Sequence, residues 1–204
     1  IEVIHNFVDV KRFNKKPVDA FKKLLAPNGE KIIVHASNFR KVKRVDDVLQ
    51  TFLLLNKTIP SKLLLIGDGP ERVRIEQQSR ECEYGTEIKF LGKQEQMEDI
   101  LPIADLFLLP SEYESFGLAA LEAMAAEVPV ISTNAGGLPE ININGYCGYM
   151  SNVGDVEDMS KNAIAILNDE ATFQTFKANA LAQAKKFDIS NIVPIYENLY
   201  KRLL

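Results

Sequence analysis

The chain has 204 residues, 46 % of them apolar and 25 % charged, with a formal net charge of −4. It is long enough to bury a sizeable core, and it lacks the basic excess that holds nucleic acid to a protein surface. No apolar run reaches the length of a membrane span, and no signal-peptide pattern opens the sequence. Two cysteines, Cys82 and Cys147, have no metal-type spacing and read as free thiols of a reducing, cytoplasmic setting. The sequence begins at Ile1 inside an apolar run, "IEVIHNFVD", which reads as the interior of something longer. A polar, Lys-rich piece around Lys11 to Glu30 is the only linker candidate.

Beyond that piece, short β-branched or Leu-rich runs alternate with helix-length amphipathic segments. "KIIVHAS" (Lys31 to Ser37) predicts a strand, followed by a helix from about Arg44 to Leu55. "KLLLIG" (Lys62 to Gly67) predicts a second strand, with a helix from about Pro70 to Cys82. "EIKFLG" (Glu87 to Gly92) is a short strand ahead of a short helix over Glu95 to Leu101. "DLFLLP" (Asp105 to Pro110) leads into a helix in "SFGLAALEAMAAE", and "VPVIST" (Val128 to Thr133) follows it. "GYM" (Gly148 to Met150) closes the strand series, and Val156 to Leu204 reads as two or three helices broken near Asn168 and Asp188. Continuous apolar strands alternating with helices predict an α/β fold, a Rossmann-like doubly wound parallel sheet with C-terminal helices. In such sheets ligands bind where strand C-termini run into loops and helix starts.

Four of those loops carry polar residues that suit an anionic ligand. "SNFRKVKR" places Arg40, Lys41, Lys43 and Arg44 ahead of a helix N-terminus, where cations are unfavourable unless an anion joins them; a solvated basic loop is the plainer alternative. "GDGPER" offers two glycines but fails as a dinucleotide fingerprint, because the third glycine position is Arg72. In "SEYESFGLAALEAMAAE", Phe116-Gly117-Leu118 sets a helix start whose free amides could hold a phosphate. Glu122 sits in that helix with almost no polar neighbour, and Glu114 precedes it by eight positions. A nearly buried carboxylate needs donors, and sugar hydroxyls are good ones; a backbone or Lys partner is the other account. "NAGGLPE" either borders the ligand or turns the chain. His5 and His35 are too isolated for a metal site, His35 reads as a core residue, and no D-x-D pair is present to hold a metal on a diphosphate. The residues therefore imply neither a metal nor a cofactor.

With these residues in place, the sequence resembles the C-terminal, donor-binding domain of GT-B glycosyltransferases of family four, the group 1 transferases. The resemblance runs through "VIHNFVDVKRF", "SNFRKVK", "LLLIGDGPER", "IKFLG", "ADLFLLPSEYESFGLAALEAMAAEVPVISTNAGGLPE" and "FDISNIVPIYENLYKRLL". Within that family, "SNFRKVKRV" with "SEYESFGLAALEAMA" resembles the branch that joins N-acetylglucosamine to L-malate in bacillithiol synthesis. The resemblance implies one domain over residues 1–204, a last helix over 188–204 that can cross to an N-terminal acceptor domain, and transfer from a UDP-linked sugar. It further implies retention of anomeric configuration without a metal. Glu114 then binds donor-sugar hydroxyls, and Ser115, Phe116, Gly117 and Leu118 bring amides to the diphosphate. Glu122 takes the ribose hydroxyls, and Lys43 with a guanidinium neutralises the leaving group. Gly67 and the turn Phe90, Leu91 and Gly92 lie near the base. The family pattern has Arg five residues before Lys43, where this sequence has Asn38; either Arg40 supplies the charge or Asn38 marks the branch. A binding module of the same fold without turnover is the alternative function. A flavodoxin-like signalling domain is disfavoured, because it would need an acidic cluster at the strand ends.

Overall fold

The computed structural model describes residues 2–15 and 19–203; residues 1, 16–18 and 204 lie outside it, including part of the candidate linker. Six parallel strands form one sheet: β1 (Lys31–Ser37), β2 (Ser61–Gly67), β3 (Ile88–Gly92), β4 (Leu106–Leu109), β5 (Val130–Thr133) and β6 (Gly148–Ser151). Their order is β3-β2-β1-β4-β5-β6. From β1 the chain winds outwards through β2 to β3, then returns to place β4 on the other side of β1 and winds outwards again. The winding therefore reverses between β1 and β4, and a doubly wound sheet has its ligand crevice at that point.

Both faces of the sheet are covered, which is why its strands are apolar throughout rather than alternating. One face packs Ile33, Leu63, Leu65, Leu106, Leu108 and Ile131 under α3 (Val45–Asn56) and α8 (Val156–Leu167). The other packs Ile32, Val34, Leu64, Ile66, Phe107 and Leu109 under α6 (Leu118–Ala125). The helix α9 (Glu170–Ala184) serves both, giving Phe173 and Phe176 to the first core and Ala180 and Ala184 to the second. Asp155 and Asp169 cap α8 and α9 through their side chains, and α10 (Ile189–Leu203) completes the tail with the predicted breaks.

Several boundaries differ from expectation, among them β5, which starts at Val130 rather than Val128. The candidate linker carries α1 (Val10–Phe13) and α2 (Asp19–Leu25), and Val10, Phe13, Leu25 and Ala26 enter the core. Its lysines stand among apolar residues of two short helices, so its described residues are a packed part of the fold. The helix after β2, α4 (Arg72–Glu81), begins two residues later than predicted, because Pro70 and Glu71 are spent in a turn in which Arg72 N donates to Gly69 O at 3.0 Å. The short α5 (Met97–Ile100) starts past Glu95 and runs into a 3₁₀ turn over Leu101–Ile103. The last short helix, α7 (Leu138–Ile141), follows β5. Among the described residues no helix is long and apolar enough to cross a membrane.

Candidate functional site

The loops leaving β1 and β4 meet above the point of reversal. The β1 loop makes a 3₁₀ turn over Lys41–Lys43, and Glu112 N donates to Val42 O at 2.8 Å, tying that turn to the β4 loop. As a result Lys43 Nζ lies 2.5 Å from Glu114 Oε1, although the two residues are 71 positions apart. Ser111, fully buried at the end of β4, donates its hydroxyl to the same carboxylate oxygen at 2.9 Å. Only 18 % of the Lys43 side chain and 13 % of the Glu114 side chain are exposed, so the pair sits in a crevice rather than on open surface.

Beside this pair α6 begins without a side-chain cap. Gly117 takes the N-cap position at φ 96°, in the left-handed region, and a Cβ there would lie 2.7 Å from Leu138 Cδ2. The first helical amides accordingly face the crevice uncapped, which gives the helix start the affinity for anions expected of free N–H groups and the helix dipole. A cavity of about 260 Å³ brings together Asn38, Lys43, Glu114, Ser115, Phe116, Gly117 and Leu118. Asn6, Ala36, Ser37 and Ala119 complete its wall.

The remaining expected site residues lie outside that lining. Arg40 is exposed on the N-terminal flank of the 3₁₀ turn, and it is Asn38 that reaches the cavity. Glu122 is half-buried. Burial pushes its carboxyl above the ordinary value, the charge of Arg12 opposes this, and Glu98 adds to it. Leu91 is bulged out of the β2–β3 ladder, where Leu65 pairs with Phe90 and Ile66 with Gly92. It lines a second cavity, of about 650 Å³, with Phe21, Gln94 and Ile100. Gly67 and Phe90 are drawn together by Arg72, which donates to Gly67 O at 3.3 Å and lies 5.8 Å from the centre of the Phe90 ring.

The glycines of the two Gly-rich loops serve close approach of backbone to backbone. A Cβ on Gly67 would lie 1.8 Å from Ser37 O, and one on Gly69 would lie 1.9 Å from Asn38 O. On the other side a Cβ on Gly136 would lie 2.0 Å from Glu114 O, and Gly137 N donates to that same carbonyl at 2.8 Å. Thus "GDG" props the loop that carries Asn38 and Lys43, and "AGG" props the loop that carries Glu114 and Ser115.

His35 is fully buried in β1, as expected of a core residue, with Nδ1 2.8 Å from Leu108 O. Both cysteines are free thiols, and among the described residues no cluster of three potential metal ligands occurs. Sequence reasoning missed Ser111, Ser37 and Asn6. Ser111 stands in the "PSEYE" run already noted, but nothing local marks Asn6 as a wall of the cavity.

Residues 18–183 match the family described as glycosyl transferases group 1. The chain belongs to the group 1 glycosyl transferases. Among curated members of the family, it is 41 % identical to N-acetyl-alpha-D-glucosaminyl L-malate synthase of Bacillus anthracis over 206 residues, covering 100 % of this chain and 54 % of that protein. It is 31 % identical to 2-deoxystreptamine N-acetyl-D-glucosaminyltransferase of Niallia circulans, over 74 % of this chain and 41 % of that one. The chain thus spans about half the length of these curated group 1 relatives. In fold it is similar to Anabaena HepE in complex with UDP, with a TM-score of 0.87 and 23 % identity over 98 % of this chain and 57 % of that one. It is also similar to the C-terminal domain of a group 1 family protein from Francisella tularensis, with a TM-score of 0.77 and 22 % identity over 89 % of this chain and 99 % of that one. The sheet therefore has the Rossmann-like α/β fold that these structures share.

Proposed function

We propose that this chain is the donor-binding half of a retaining, metal-independent transferase that moves N-acetylglucosamine from UDP to the hydroxyl of L-malate. The observation that carries this reading is the meeting of Lys43, Glu114 and the uncapped start of α6 in one crevice at the sheet's point of reversal. The 41 % identity along the whole chain supports the choice of donor sugar and acceptor.

In this reading the diphosphate lies across Lys43 and the α6 amides, and Asn38 supplies a neutral donor where the family has a guanidinium. Arg40, exposed beside the same turn, adds charge at the rim. Glu114 turns from Lys43 to the sugar hydroxyls. The ribose reaches Glu122, a half-buried carboxylate that can accept from a pair of hydroxyl donors. The base lies towards Gly67 and the Phe90, Leu91 and Gly92 turn. The acceptor oxygen attacks the anomeric carbon on the face from which the diphosphate leaves. The departing phosphate oxygen takes the acceptor proton, and the configuration is kept without a carboxylate nucleophile. Stabilising the leaving charge is then the main contribution of the protein, and deleting Lys43 should cost about 10²–10³ in rate.

Acceptor contacts belong to an upstream domain in this reading, and the exposed Ile195, Tyr200 and Leu203 of α10 are the stripe that meets it. A cytoplasmic setting belongs to the same proposal, supported by the free thiols. Calorimetry with UDP, UDP-N-acetylglucosamine and other nucleotides tests the donor side, and transfer to L-malate by the full-length protein tests the acceptor. No uridine nucleotide binding up to millimolar concentration would overturn the reading.

A further inference from the structure

His35 takes no part in the transfer outlined above, yet every polar atom of its imidazole is engaged. Nδ1 lies 2.8 Å from Leu108 O, and a carbonyl can only accept, so Nδ1 carries the proton. A neutral ring then has a lone pair on Nε2, and the 2.8 Å contact between Nε2 and Ser37 Oγ requires the serine hydroxyl to donate. With its proton so placed, Ser37 Oγ accepts from Phe39 N at 3.3 Å. Donation therefore runs in one direction, from Phe39 N–H through Ser37 to His35 and on to the carbonyl of β4.

The loop held by this chain is strained. Phe39 has φ 38°, in the left-handed region that a bulky side chain rarely enters. Its ring is fully buried, 6.1 Å from His35 and 6.5 Å from Phe90. Phe39 O accepts from Glu71 N at 3.0 Å, so the turn is fixed from the β2 side as well. Ser37 and Asn38, on either side of the first step of this turn, both line the cavity, and Lys43 follows within the same loop. Burial pushes the imidazole down to about 4, against the Leu108 bond and with help from the charge of Lys43, so the ring stays neutral at physiological pH.

We propose that His35 and Ser37 form a positioning relay: the buried imidazole orients the Ser37 hydroxyl, and the hydroxyl holds the strained Phe39 turn that presents Asn38 and Lys43 to the diphosphate. The role rests on the donor-site reading above, and the test separates the two. UDP binding is measured by calorimetry and uridine binding by NMR titration, for the wild-type chain, S37A and S37T. The proton positions of the two histidines are read from long-range proton–nitrogen spectra. The relay predicts a proton on Nδ1 of His35. It predicts about tenfold weaker UDP binding in S37A with unchanged uridine binding, and recovery in S37T, which keeps a hydroxyl. Unchanged uridine binding also reports that S37A is folded. A wild-type chain that binds neither ligand overturns the donor-site reading and this role with it. If the wild-type chain binds UDP, the relay alone falls on any of three results: S37A equal to wild type, equal losses for UDP and uridine, or a His35 protonated on Nε2.

Discussion

Replacing Glu114 by Gln separates the two tasks assigned to this residue. In the free chain its carboxylate holds Lys43 at 2.5 Å and accepts from Ser111 at 2.9 Å. A diphosphate arriving at Lys43 must displace that carboxylate or settle beside it. Two unit charges about 6 Å apart interact by roughly 3 kcal/mol at an effective dielectric constant of about 20. Salt and an open crevice reduce this to about 1–1.5 kcal/mol. Gln keeps the shape and can still accept from Ser111, but it removes the charge. E114Q should therefore bind UDP about tenfold more tightly than the wild-type chain. Folding stability should fall by about 1 kcal/mol from the lost, partly buried ion pair. Transfer by the full-length protein should drop, because the group facing the sugar hydroxyls has lost its charge. Calorimetry with UDP at two ionic strengths is the assay, and the gain should shrink as salt is added. Equal or weaker UDP binding in E114Q would refute the argument that Glu114 occupies the diphosphate's cation in the free state.

Three further outcomes are expected. Unfolded histidine takes up a proton near 6.5 and folded His35 only near about 4. Between those values the unfolded state holds more protons, so stability should climb with pH by about 3 kcal/mol across that window. Urea unfolding should therefore show the wild-type advantage over H35N shrinking from pH 7 to pH 4, and a constant difference would contradict the assignment. Burial raises the Glu122 carboxyl above its ordinary value of 4.5, with Arg12 opposing, so the carboxylate withdraws stability as pH rises. The permanently neutral E122Q should gain in urea midpoint over wild type between pH 4 and 7 while losing about tenfold in uridine affinity; a variant that loses neither binding nor the pH trend would count against the ribose role. Finally, G136A must push a Cβ into Glu114 O at 2.0 Å and hold φ 59°, whereas Gly29, at φ 81°, has nothing within 4 Å of an added Cβ. G136A should lower thermal stability by about 2–3 kcal/mol and G29A by about 1, as read by calorimetric melting.

Much of the fold was legible because burial on both sheet faces imposes a simple pattern. "KIIVHAS" and "DLFLLP" had to be strands, since runs that short and that apolar cannot expose a face. The breaks at Asn168 and Asp188 were equally plain, with Asp169 and Asp188 starting new helical segments. What could not be read was adjacency. The pairing of Lys43 with Glu114, and of His35 with Leu108, follows from β1 lying next to β4, and strand order is decided by the packing of whole helices on the sheet. The lysines of the 11–30 segment misled for a related reason. Charge per residue outweighed the spacing of Val10, Phe13 and Leu25, and it was the spacing that determined what was buried. The late start of α4 shows the limit of the proline rule, since Pro70 suits a turn as well as a first helical turn.

The glycines show how the site is held together and why its motifs look as they do. Glycine beside a strand end suggests room for a ligand, and in "GDG" and "AGG" that room is already filled by the chain's own carbonyls at Ser37, Asn38 and Glu114. Each cavity loop is therefore backed by a second loop in direct backbone contact, with no side chain between them that could shift. The backbone that carries Lys43 and the α6 amides can then be held in place before any ligand arrives, and holding charges in place beforehand is what makes electrostatic stabilisation of a leaving group effective. An Ala at Gly69, which does not itself line the cavity but lies directly behind Asn38, should accordingly disturb diphosphate binding, whereas an Ala at Gly29 should leave it untouched.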